Sequence, residues 1–229
     1  MTQKDDDLTI RQAPLFSALD DEAAISLRES MVPLKLSKGQ ILFKEGQEGD
    51  RLYVVVQGKI KLGTASGDGR ENLLSILGPG EMFGELSLFD PEPRTSTATA
   101  VTDARLVSLA HEAVIGLVTT HPQTSLELLR RLAQRLRKSN EILADLVFAD
   151  VPGRVAKAIM DLGERFGSKK EDGLHVNHDL TQEELAQLVG ASRETVNKAL
   201  ADFAARGWVK LEPRAVLVTD VERLTKRGR

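Results

Sequence analysis

The sequence predicts an α+β protein in three parts: an N-terminal β-roll of the jelly-roll kind, a long dimerisation helix, and a C-terminal winged helix-turn-helix. Three observations predict it. Short apolar runs punctuated by glycine fill the stretch from Val32 to Ala110. Leucines between Leu129 and Leu146 recur at alternating spacings of three and four. Two short helices with apolar faces meet at Gly190, and two short strands follow them. The expected boundaries are 1–121 for the roll, 122–150 for the helix and hinge, and 151–229 for the last domain.

Composition narrows the class. A chain of 229 residues is comfortable for two domains, and 41% hydrophobic with 28% charged residues describes a globular protein. No apolar run reaches bilayer-spanning length, and the acidic start MTQKDDDLTI lacks the basic-then-apolar pattern of a secretory signal. Cytoplasmic residence and no membrane partner are therefore expected. Cysteine is absent, which excludes disulfides, thiolate zinc sites and cysteine-ligated iron–sulfur clusters. The net charge of −3 is unevenly shared: from Val151 onward there are 14 Lys/Arg against 12 Asp/Glu. This balance permits a nucleic-acid surface in the C-terminal part.

Along the chain, a fraying start gives way at Asp20-Asp21-Glu22 to an apolar-periodic helix ending near Met31, its acidic first turn suited to the helix dipole. The strand runs VPLKL, QILFKEG, RLYVVVQG, KIKLGT, NLLSIL, TSTATAV and ARLVSLA follow, with Asp68-Gly69 as a hairpin turn. Late in the roll, Gly84 to Leu88 reads as a helical turn whose backbone N–H groups suit an anion. Arg94 adds a planar cation that pairs with phosphate oxygens, Glu85 two acceptors for a sugar hydroxyl, and Thr95 a hydroxyl. Together they suit a phosphorylated sugar; taken singly, the same Arg and Glu read equally as solvated surface residues.

Pro122 can open the long helix because the first turn needs no N–H from it. Its seam is Leu129, Leu132, Leu136, Ser139, Leu143 and Leu146, while Arg130, Arg131, Arg135, Arg137 and Lys138 fall off the seam and are expected in solvent. Ser139, followed by Asn140, is the polar step, where a seam fixes register or meets a ligand. The run Asp150-Val151-Pro152-Gly153-Arg154 should break the helix. A stripe of Val155, Ile159, Leu162 and Phe166 follows, then a polar loop from Gly167 to Gly173. Thr181 and Glu184 form a capping box, Gly190 suits a left-handed turn, and Ser192 with Thr195 caps a second helix. Val196 and Leu200 then face inward, leaving Arg193, Glu194, Asn197 and Lys198 outward where a major groove would meet them. Gly207 to Leu211 and Val216 to Val218 make the wing, with Trp208 expected in packing.

Gly84-Glu85-Leu86 after Phe83, followed by Arg94-Thr95-Ser96-Thr97-Ala98, resembles the phosphate-binding cassette of the cyclic-nucleotide-binding β-roll. Gly190-Ala191-Ser192-Arg193-Glu194-Thr195-Val196 resembles the recognition-helix start of the cyclic-AMP receptor/FNR superfamily, and the likeness runs from roll to wing. PGRVAKAI and LTQEELAQLVGASRETVNKAL are similar to its actinobacterial cyclic-AMP-responsive branch. The resemblance implies cyclic AMP as effector, with Glu85 on the ribose 2′-hydroxyl, Arg94 on the cyclic phosphate, and Gly84, Leu86 and Thr95 completing the cradle. It implies adenine contacts from Ser139 and Asn140, one from each subunit of a homodimer; Asn140 replaces a hydroxyl, leaving guanine discrimination open. On double-stranded operator DNA it implies Arg193 to guanine and Glu194 to cytosine, with Lys198, where the family has arginine, on guanine or phosphate. Gln182 would hold a phosphate, Thr181 and Ser192 are further candidates for DNA contact, and RNA polymerase would be a further partner.

Two other readings stand beside this one. A regulator of the same fold could sense oxygen, haem or another metabolite, or bind DNA without ligand; His111, His121, His175 and His178 are scattered and read as surface or loop residues. A cupin-like enzyme would need a His-x-His in the roll, which has no histidine before His111, and no catalytic triad is evident. An enzyme is not expected.

Overall fold

The computed structural model describes residues 3–13, 16, 19, 21–67, 71–90 and 92–228. Two compact units divide the chain: residues 1–64 with 74–137, and residues 138–229 with 65–73.

The first unit opens with α1 (Gln3–Gln12) and α2 (Asp21–Glu29). The expected frayed start is thus a helix, because Ile10 and Ala13 bury themselves in the core. The strands are β1 (Val32–Leu36), β2 (Ile41–Phe43), β3 (Arg51–Gln57), β4 (Ile60–Ala65), β5 (Glu71–Leu77), β6 (Met82–Phe83), β7 (Thr97–Ala100) and β8 (Ala104–Ala110). They form two four-stranded sheets, ordered β1-β8-β3-β6 and β2-β7-β4-β5, whose described ladders are antiparallel. Asp20 and the Asp68–Gly69 turn lie outside the described residues.

β3 explains the layering. Its run RLYVVVQ is apolar without alternation because both faces are covered. Leu52, Val54 and Val56 join a cluster with Ile10, Phe16, Leu27, Val114 and Leu128. Tyr53 and Val55 point the other way, to Phe43, Ile60, Phe83 and Leu106. Helices thus cover one face of the first sheet and the second sheet covers the other. A short α3 (Leu86–Phe89) interrupts the strands, α4 (His111–Thr120) follows β8, and α5 (Pro122–Phe148) begins within this unit at buried Thr124 and Leu128.

The second unit takes the rest of α5, then α6 (Val151–Phe166), β9 (Gly167–Lys170), β10 (Gly173–Val176), α7 (Gln182–Val189), α8 (Arg193–Ala205), β11 (Val209–Glu212), β12 (Ala215–Val218) and α9 (Val221–Arg227). Its sheet runs β11-β12-β10-β9. Two expectations change here. The Gly167–Gly173 loop is a hairpin whose first strand is exposed at every residue, so no burial alternation marks it. The helix break falls at Ala149–Asp150: Pro152 and Gly153 sit inside the first turn of α6, where proline costs nothing, and Asp150 caps it by accepting from the Gly153 amide at 2.9 Å.

Candidate ligand cassette and nucleic-acid interface

The cassette lies in the first unit, where β6 ends and α3 begins. The Arg94 backbone is pinned to the loop after β2, its N–H donating to Gln47 O at 2.7 Å and its carbonyl accepting from Gly46 N at 2.8 Å. Its guanidinium folds back into the protein, only 4% exposed. Nη1 donates to Gly84 O and Nη2 to Arg51 O, each at 2.8 Å. The plane lies 4.4 Å from the Phe43 ring centroid and 5.8 Å from that of Tyr53, a favourable cation–π arrangement. Burial draws the guanidinium below its ordinary pKa, opposed by Tyr53, Asp50 and Glu85. A guanidinium has five N–H donors, so two bonds leave capacity for an anion. Nε is buried and has no partner.

Glu85 is 2% exposed, and one carboxylate oxygen, Oε1, accepts from Arg135 of α5. The other, Oε2, is buried without a partner. Neither Glu85 nor Arg94 is thus a solvated surface residue. Arg135 lies off the seam and stays 43% exposed, as expected, while its guanidinium reaches back to pair with the buried carboxylate, which unpaired would carry a large desolvation cost. Leu86 and Thr95 are exposed on the cassette rim, and Ser87 is buried beneath it.

Gly49 is a cassette residue that the pattern of motifs does not single out. A Cβ there would stand 2.6 Å from Ser87 Cβ and 2.7 Å from Arg94 Cζ. Gly49→Ala therefore displaces α3 or the guanidinium, with an expected stability loss of about 1–3 kcal/mol. Thermal denaturation beside an Arg94 variant checks this: an unchanged melting temperature contradicts the close packing.

Along α5, Ser139 and Asn140 are exposed, and so are Leu129, Leu136, Leu143 and Leu146 of the seam, while Leu132 is half-buried. Leu129, Leu136 and Leu143 are 62%, 64% and 61% exposed. An apolar stripe of this length, roughly 26 Å from Leu129 to Leu146 at the helical rise, is unusual on a chain that stays alone.

The helix-turn-helix follows its local signals. Thr181 Oγ1 accepts from Glu184 N at 3.1 Å, and the Glu184 carboxylate accepts from Thr181 N at 2.8 Å, so the capping box is complete. Gly190 ends α7 in the left-handed region at φ 68°, open only to residues without strain there. Ser192 caps α8 by accepting from Thr195 N at 3.2 Å. Leu185, Ala186, Val189, Val196 and Leu200 are buried. Thr181, Gln182, Ser192, Arg193, Glu194 and Lys198 are exposed around the two helix N-termini, while Asn197 is half-buried. Lys198 Nζ donates to Glu194 at 2.6 Å with both side chains about three-quarters exposed. Such a pair contributes only about 0.3–0.5 kcal/mol, so it yields readily to better partners. Thr181→Ala should cost about 1 kcal/mol in a denaturant titration, against near zero for an exposed mid-helix change.

Arg154 is a further structural residue here. Its guanidinium donates to Ala149 O at 2.9 Å, Val189 O at 3.1 Å and Gly190 O at 3.2 Å, tying the end of α7 to the start of α6. Trp208 stacks on Phe203 at 5.7 Å, consistent with packing. His178 departs from its expected surface place: it is 5% exposed, and Nδ1 accepts from Leu180 N at 3.1 Å. No metal-holding group of side chains occurs among the described residues.

The chain matches the Cyclic nucleotide-binding domain family over residues 33–121 and the Crp-like helix-turn-helix domain family over residues 153–227. The CRP-like cAMP-activated global transcriptional regulator of Mycobacterium tuberculosis is 53% identical over 97% of this chain and 100% of its own length. The chain belongs to the CRP/FNR family. Members of this family are DNA-binding transcriptional regulators, not enzymes. The Cyclic AMP receptor protein of Thermus thermophilus is 36% identical over 92% of this chain and 94% of its own. The crystal structure of Thermus thermophilus Catabolite Activator Protein superposes with a TM-score of 0.54 at 34% identity, covering 94% of this chain and 98% of the other. The CRP/FNR assignment accounts for both halves: a cyclic-nucleotide domain built on the roll and a helix-turn-helix built on α7 and α8. No helix among the described residues is long and apolar enough to cross a membrane.

Proposed function

We propose that this CRP/FNR-family chain is a cyclic-AMP-responsive regulator that works as a homodimer on a near-palindromic operator. The observation that carries the reading is a pair of buried orphans in one cassette: Arg94 Nε as an unused donor and Glu85 Oε2 as an unused acceptor. Buried polar atoms are ordinarily satisfied. A cyclic phosphate suits the first and a ribose hydroxyl the second, so the residues present fit the nucleotide. When bound, cyclic AMP brings the phosphate charge and the hydroxyl. Arg94 holds the phosphate, Glu85 the ribose, and Gly84, Leu86 and Thr95 close the rim. Arg135 orients Glu85.

The exposed seam pairs two copies of α5, and Ser139 and Asn140 meet the adenine across it. On DNA, Arg193 reads guanine, Glu194 reads cytosine, and Asn197 and Lys198 contact neighbouring bases or phosphates. Thr181, Gln182 and Ser192 sit at helix N-termini, where phosphate is favoured. Cytoplasmic residence and contact with RNA polymerase belong to the same reading. Ligand and operator favour one placement of the helix-turn-helix about the α5–α6 joint, so each tightens the other by the same factor.

Fluorescence anisotropy of labelled operator, titrated with protein with and without cyclic AMP, tests the proposal. Tighter binding with cyclic AMP is expected; identical isotherms overturn it. In the same assay Arg193→Ala should cost about 1–3 kcal/mol and relax preference at a single operator position. A uniform loss across sequences would make Arg193 a phosphate contact instead.

A further inference from the structure

The joint between α5 and α6 is two residues, Ala149 and Asp150, and the chain's C-terminal helix is fastened to it. Asp150 uses both carboxylate oxygens: Oδ1 accepts from Gly153 N at 2.9 Å, and Oδ2 accepts from Arg227 Nη2 at 2.6 Å. Arg227 lies in the last turn of α9. That helix is itself held firmly: Leu224 is fully buried, and Asp220 caps the first turn by accepting from Arg223 N at 3.0 Å. Just beyond it, Gly228 lies so close to α6 that a Cβ would stand 2.8 Å from Lys157 N. Arg227 and the Gly153 amide hold the Asp150 carboxyl below the ordinary aspartate range, so it is charged at neutral pH. The same joint is strapped by Lys157 to Asp145 at 2.5 Å and by Lys138 to Asp161.

Capping α6 needs only the oxygen facing Gly153. The second oxygen and the arginine are surplus to the cap, and they join the end of the chain to the pivot. We infer that Arg227 is a positioning residue: by clasping Asp150 it stiffens the α5–α6 joint through which nucleotide binding and operator binding communicate. A displacement of α5 reaches α7 and α8 only if this joint transmits it, and a loose joint dissipates it. Arg154 continues the connection, since it holds Ala149 O and the end of α7 together. The inference rests on the proposed coupling of nucleotide to operator.

The test uses full-length Asp150→Asn, Arg227→Gln, the double variant and Arg227→Lys. Asparagine still caps α6, so a purely capping role predicts wild-type behaviour for Asp150→Asn. Two readouts are taken: the ratio of operator affinities with and without cyclic AMP, and amide hydrogen exchange from Ala149 to Arg154. Asp150→Asn and Arg227→Gln should each lower the ratio about threefold, the scale of one ion pair. Both should speed exchange at the joint, the double variant should add nothing further, and Arg227→Lys should restore most of the ratio. An unchanged ratio in both single variants, with or without faster exchange, overturns the positioning role. If the wild type shows no response to cyclic AMP, the functional proposal fails on its own; exchange then judges the clasp, which stands if the joint loosens and falls if it does not.

Discussion

Arg94→Ala is expected to weaken cyclic-AMP binding by at least about 100-fold, the scale of a lost charge-assisted pair in a buried site. The same change should also destabilise the first unit, because Arg94 does two jobs. Its Nη groups satisfy the carbonyls of Gly84 and Arg51, and its plane covers the Phe43 ring. Leaving these two part-buried carbonyls without their partner costs at most about 1–3 kcal/mol each, the penalty of a fully buried group. Calorimetric titration and urea denaturation of the same sample separate the two effects. Binding that falls only as far as folding does would make Arg94 a structural residue, and the anion role would be lost. Glu85→Gln is the companion control. It removes the charge that Arg135 neutralises while keeping an acceptor near the ribose, so it should affect binding less than Arg94→Ala.

Leu136→Glu is expected to leave the protein monomeric at micromolar concentration. Leu136 stands mid-seam and is 64% exposed in the single chain. In a pair of α5 helices, symmetry would bring two glutamates together where two leucines had met. An uncompensated buried charge costs about 3–5 kcal/mol, enough to raise a dimer dissociation constant by roughly two to four orders of magnitude. Sedimentation velocity reads this directly. The variant should also lose operator affinity, since one half-site contact replaces two. Lys138 and Arg137 flank the same region and should tolerate alanine far better. A Leu136→Glu protein that sediments like the wild type would mean that α5 is not the pairing surface.

What could be read from the sequence was mostly local. Thr181 and Glu184 are three residues apart, and their reciprocal bonds need nothing but a helix start, so the capping box was plain. Gly190 and Ser192 are equally self-contained. The leucine spacing of α5 likewise declares its period without knowledge of the rest of the fold. Long-range facts left no such trace. Arg135 meets Glu85 across fifty residues of sequence, and the seam reading could say only that Arg135 lay off the apolar stripe. Gly49 matters because Ser87 and Arg94 arrive beside it, which no spacing near Gly49 reveals. α1 carries four Lys/Asp residues in QKDDDLTIRQ and only a few apolar anchors, so its helix depends on packing of Ile10 against β3 neighbours. β9 is polar and exposed throughout, and pairing with β10 makes it a strand. α9 and its clasp on Asp150 are again joined only in three dimensions.

Nucleotide response requires that the buried, half-satisfied pair Glu85 and Arg94 accept a sugar phosphate. Isothermal titration calorimetry of the full-length protein with cyclic AMP measures this directly, with cyclic GMP as comparison. The expected result is saturable binding of one cyclic AMP per chain, tighter than cyclic GMP. No heat with either nucleotide, at concentrations up to the millimolar range and more than one temperature, would contradict it.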